Sequence, residues 1–177
     1  MIIYNCRIIT WGNTNQILEN HAVRIVEDRI VELTNQDDLL LRFPEDEKID
    51  AGRQVLMPGL ICAHTHFYGV FTRGMAIPGE APADFVEILK KLWWPLDQSL
   101  TQEDIYYSAL VCIIDAIRHG TTTVFDHHAS PGFITGSLDV IEKAVNDTGI
   151  RASLCYEVTD RGGAEKSLAG IEENIRM

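Results

Sequence analysis

The spacing of apolar residues along this chain changes near residue 58. Before that point they come in short alternating bursts, and after it in longer runs that switch between strand-like and helix-like spacing. Residues 2–10 are rich in Ile and Tyr, and Asn13-Thr14-Asn15 is a turn cluster. Ala22-Val23-Arg24-Ile25-Val26 and Ile30-Val31-Glu32-Leu33 face each other across the polar turn Glu27-Asp28-Arg29. Period-two bursts separated by turn residues predict strands and a hairpin. Residues 43–48 read as a solvated loop, and His21, ahead of a strand with no partner nearby, reads as a surface residue.

The chain is organised around Met57-Pro58-Gly59-Leu60-Ile61-Cys62-Ala63-His64-Thr65-His66. An apolar run starting at Val55 and ending in two histidines predicts a strand buried on both faces, as in parallel sheets. Residues i and i+2 of a strand point the same way, so His64 and His66 are expected to project together from its C-terminal end. On a helix they would sit roughly 200° apart. Two imidazoles side by side at a strand mouth form half of a metal site.

An excursion over residues 67–100 follows; it contains Pro78-Gly79 and a predicted helix over 83–93. Thr101-Gln102-Glu103-Asp104 is a capping-box pattern. It opens a helix with Tyr106, Ala109, Leu110, Ile113 and Ile117 on one face, closed by Arg118-His119-Gly120. Thr121-Thr122-Thr123-Val124-Phe125 predicts a second strand ending in Asp126-His127-His128. A helix over 137–147, a third strand over 150–158 and a helix from 167 complete the alternation. Strand–helix repetition of this kind predicts a parallel sheet, hence an α/β domain over 58–177 behind a β module over 1–57. A closed (β/α)8 barrel needs eight such units and about 250 residues. The three units here therefore predict the N-terminal part of a larger protein.

Fifteen basic and 26 acidic residues give a net charge of -11. That argues against nucleic-acid or anionic-membrane surfaces, both of which favour a basic face. Cys6, Cys62, Cys112 and Cys155 are scattered through apolar segments, so they read as buried thiols of a reduced, cytoplasmic protein. No apolar run reaches the roughly 18 residues of a membrane helix.

The run into His64-Thr65-His66, Arg73-Gly74, Trp94-Pro95-Leu96 and Gly120-Thr121-Thr122-Thr123, behind an N-terminal β module, together resemble the amidohydrolase superfamily. The resemblance is to its branch of cytosine and guanine deaminases and chlorohydrolases. It is most pronounced for the SsnA-type aminohydrolases, where Asp126-His127-His128 is also at home. It runs from Met1 to about Gly163. It implies a (β/α)8 TIM barrel flanked by a β-sandwich, with a divalent metal, usually zinc, at the barrel mouth. His64 and His66 match the first-strand ligands. The remaining ligands and the catalytic acid–base group are expected beyond residue 177, so this chain alone is expected to be inactive.

The implied reaction is hydrolysis of a carbon–nitrogen bond, deaminating an amino-substituted N-heterocycle. The implied partner is a small-molecule substrate, with neither nucleic acid nor membrane; a homo-oligomer fits the same reading. His127, His128 and Trp94 are the candidate substrate contacts. Asp126 and His128 share one strand face and His127 the other, so only one of the two sets is expected at the mouth. For Asp126 the alternative is a strand-end carboxylate accepting from backbone amides, and for Trp93 it is packing against the barrel. Arg73 and Glu157 are further candidates. Two other readings stand beside this one: a dinuclear, hydantoinase-like cyclic-amide hydrolase, and an inactive paralogue serving as an interaction module.

Overall fold

A computed structural model describes residues 1–77 and 79–177 of the chain; Pro78, expected within the excursion, lies outside them. The described chain divides into two compact units, Met1–Pro58 and Gly59–Met177.

In the first unit β1 (Ile2–Ile9), β2 (Ile17–Val26) and β3 (Arg29–Asn35) form an antiparallel meander. After α1 (Gln36–Arg42), the short strands β4 (Lys48–Asp50) and β5 (Val55–Leu56) pair parallel with β1. Among the described residues these strands make one five-stranded sheet, so the expected sandwich is not shown by them. Helix α1 was not expected. Its signal is local: the Asn35 side chain accepts from the Asp37 and Asp38 amides, two acids occupy the first turn and Arg42 the last. Leu39 from α1 closes a small core with Ile2 and Ala22.

The second unit opens with β6 (Leu60–Thr65) and a 3₁₀ turn over Phe67–Thr72. The excursion then winds through α2 (Phe85–Ile88), a π-helical stretch over Leu89–Trp93 and α3 (Trp94–Ser99). The helix predicted to end at residue 93 thus continues six residues further. Next come α4 (Gln102–Arg118), β7 (Thr121–His128), α5 (Ser137–Thr148), β8 (Arg151–Tyr156) and α6 (Ala164–Arg176). The Thr101–Asp104 capping box starts α4 as predicted, and Gly120, at φ +82°, takes the left-handed conformation past its end. Strands β6, β7 and β8 are adjacent and parallel in that order, which is the predicted alternation. Their helix-side face packs Val124 with Ile105, Ile113, Leu138 and Ile141 into the main core.

Two local devices set the strand ends. A Cβ on Gly59 would lie 2.2 Å from the Thr122 side chain, so the start of β6 fits against β7 only as glycine. Helix α5 has no side-chain cap of its own, because Gly136 stands at its N-cap. Glu173 of α6 reaches across instead and accepts from the Gly136 and Leu138 amides, 3.0 Å each. Burial alone would raise the Glu173 carboxyl, but the Arg176 guanidinium and the two amides outweigh it and hold the group below its ordinary value.

Cys6 is buried, Cys62 and Cys112 are half-buried and Cys155 is exposed. The expectation of four buried thiols is corrected at Cys155, which sits on the face of β8 turned away from the helices.

Candidate active site

His64 and His66 share a face, by a route that strict alternation does not predict. Cys62 pairs with Val124 and Thr65 with Asp126, so β6 uses three residues where β7 uses two. This bulge turns His64 away from the helix-side face that Cys62 occupies and leaves Thr65 on it. His64 and His66 then flank Thr65 on the open side, ring centroids 4.8 Å apart.

The His66 Nδ1 lies 2.6 Å from the His127 carbonyl oxygen. In the neutral ring this places the proton on Nδ1 and leaves the Nε2 lone pair for a ligand, the orientation a metal-binding histidine needs. The His127 ring completes a triangle, 5.5 Å from His66 and 6.4 Å from His64. Burial, and then the neighbouring His66, push His127 below its ordinary pKa.

Asp126 accepts at Oδ1 from the Phe67 amide, 2.8 Å away, and so ties down the chain immediately after His66. Its other oxygen is buried without a partner among the described residues, and burial pushes the carboxyl up to about 7. His128 lies on the same buried face, 1% exposed, bonded through Nε2 to Ser130 and packed on Tyr68 and Tyr156. Burial lowers it to about 3. The expectation that His128 meets substrate is therefore corrected. Strand alternation points it into the core, and its neighbour His127 takes the open face.

His64, His66 and His127 line one cleft of about 490 Å³, walled by Trp93 and Trp94. Asp97 and Glu157 line it too. Every one of these groups sits at or beyond the C-terminal end of a parallel strand or on the excursion after β6, where α/β folds collect ligands. Asp97 was not expected. It is 1% exposed and holds the Arg161 guanidinium through both carboxylate oxygens. Burial raises its pKa, with Arg161 opposing. The same guanidinium lies 5.5 Å from the Trp94 ring and 3.4 Å from Glu157 Oε2. Asn174 of α6 fixes the end of β8 by bonding both the amide and the carbonyl of Tyr156, next to Glu157. Arg73 is exposed and is not among the cleft residues.

The pair His64–His66 suits a divalent metal in donor type and proximity, and His66 in ring orientation as well. Among the described residues no group of three or more His, Cys, Asp or Glu is placed to hold one, whereas a catalytic zinc site takes three protein ligands and a water.

Residues 55–177 match the amidohydrolase family. The chain belongs to the amidohydrolase family. It is 31% identical to the 5-methylthioadenosine/S-adenosylhomocysteine deaminase of Acetivibrio thermocellus, over 99% of this chain and 37% of that protein. It is 30% identical to the 5'-deoxyadenosine deaminase of Methanosarcina barkeri, over all of this chain and 38% of the relative. This amidohydrolase chain thus spans less than two fifths of the length of either relative. Among solved structures it resembles atrazine chlorohydrolase TrzN from Arthrobacter aurescens TC1, crystallised with zinc, at TM-score 0.70 and 26% identity over 88% of this chain and 35% of that one. Guanine deaminase from C. acetobutylicum, with TM-score 0.76 and 18% identity over 99% of this chain and 42% of that one, shares the fold. These comparisons place the chain with the deaminase and chlorohydrolase branch. Among the described residues no helix is long and apolar enough to cross a membrane.

Proposed function

We propose that this chain supplies the metal-facing and ring-facing part of an aminohydrolase that removes an amino group from a nitrogen heterocycle. The observation that carries the reading is the convergence of His64, His66 and His127 in one cleft walled by Trp93 and Trp94. His64 and His66 would hold a divalent metal, zinc by the precedent of the chlorohydrolase structure. Such a metal lowers the pKa of a bound water to roughly 7 and so supplies a nucleophile at neutral pH. The chain's own residues do the positioning. The His127 carbonyl fixes the His66 ring, and Asp126 holds the backbone at Phe67. The two tryptophans offer faces on which a flat ring stacks. His127 stands where it can hydrogen-bond a ring nitrogen or an exocyclic group. With two metal ligands in reach, the chain by itself is proposed to be inactive as a hydrolase.

The test is a zinc titration of the chain, followed through the side-chain ¹⁵N signals of its histidines. Nε2 of His64 and His66 should shift together at weak affinity, His21 and His119 should stay still, and His66→Ala should abolish the response. Zinc that leaves His64 and His66 unmoved would falsify the metal assignment.

A further inference from the structure

The cleft that holds the histidine triangle also carries acidic side chains, and the Glu157 charge is felt at His127. Asp97 and Glu157 both line the cleft, and among the described residues no lysine or arginine does. The two carboxylates are not equivalent. Asp97 is fully buried, with both oxygens occupied by Arg161, so that pair is close to neutral as a unit and offers a ligand little. Glu157 makes a single long contact, Oε2 to the same guanidinium at 3.4 Å, and its side chain keeps 28% of its exposure. Its other oxygen has no partner among the described residues. One net negative charge therefore faces the cleft, on a carboxylate held in place from β8 and not spent on its neighbours.

We infer that Glu157 is a specificity residue: it accepts a hydrogen bond from a neutral or cationic, donor-bearing substituent of the substrate and turns anionic substituents away. This rests on the cleft being the seat of a heterocycle. It adds to that reading the sign of charge that a ring substituent of the substrate carries beside Glu157. A carboxylate or phosphate beside Glu157 would meet it with no free side-chain cation among the cleft residues to offset it, because Arg161 is already shared between Asp97 and Glu157. An amine, amide or hydroxyl finds an acceptor. If Glu157 were only a third member of the ion cluster, replacing it would alter stability and leave charge preference where it was.

Three matched probes separate these cases: 5-aminomethylcytosine (cationic), 5-methylcytosine (neutral) and 5-carboxycytosine (anionic). Each is titrated into the chain and followed by the indole signals of Trp93 and Trp94. The dissociation constants should rise in that order, with roughly tenfold or more separating cation from anion, since the substituent charge lies at hydrogen-bond range of one carboxylate in a partly solvated cleft. In Glu157→Gln the cation-to-anion ratio should fall towards one, and in Glu157→Asp it should persist. Salt should narrow the ratio in the unaltered chain, a readout that needs no variant to fold. Equal or tighter binding of the carboxylate, or a ratio that survives both Glu157→Gln and salt, overturns the inference. Failure of all three probes to move either indole overturns the heterocycle reading itself, and this inference with it.

Discussion

Asp126 couples ionisation to folding in a way that a single substitution can isolate. Its carboxyl is 2% exposed, receives one hydrogen bond from the Phe67 amide and leaves its second oxygen unmatched. Burial lifts its pKa from 3.8 to about 7. A carboxyl whose pKa is higher folded than unfolded keeps its proton longer in the native state. Stability is therefore greatest below the unfolded pKa, falls as pH rises between the two values, and levels off above the folded one. Between about pH 5 and about pH 8 the contribution should change by roughly 3 kcal/mol, at about 1.4 kcal/mol per pKa unit. Asp126→Asn keeps an oxygen for Phe67 and cannot ionise. It puts an amide where the unmatched oxygen stood, which costs about 1–3 kcal/mol at every pH. Urea unfolding of both proteins across this range gives the comparison. The unaltered chain should hold its largest advantage in acid and lose it, by roughly 3 kcal/mol, as pH rises. A difference between the two that stays flat across the range refutes the buried, nearly unpartnered carboxyl.

Two further substitutions probe the scaffold. Glu173→Ala strips the α5 amides of Gly136 and Leu138 of their acceptor and leaves Arg176 without its buried partner; a loss of about 2–4 kcal/mol is expected in urea melts, and a loss below about 0.5 kcal/mol would place the cap elsewhere. Gly59→Ala should destabilise by about 1–3 kcal/mol through its collision with Thr122, and Thr122→Gly in the same chain should restore most of it, whereas additive losses would mean that the two residues do not touch.

Much of this protein could be read from local pattern. The hairpin of β2 and β3, the Thr101 capping box, the Gly120 helix stop and the three strand–helix repeats each follow from spacing and turn chemistry within a few residues. That His64 and His66 lie close together on one short segment could also be read there, though not the face they take. Helix α1 has a cap signal in Asn35-Gln36-Asp37-Asp38 but no periodicity to go with it. At seven residues it is too short for a hydrophobic period to emerge from the strands around it. What tertiary structure alone decided involves distance along the chain. Strand alternation put His127 and His128 on opposite faces, but only the packing of Tyr68, Ser130 and Tyr156 around His128 determined which one meets the cleft. The bulge that turns His64 outward exists because β6 and β7 pair out of step, and no single strand encodes that. Asp97 and Arg161 stand 64 residues apart and meet only when the excursion folds over the end of β8. Local sequence sets the conformation a segment prefers, but a charge acquires its partner, its burial and its freedom to meet a ligand only from the segments that fold against it.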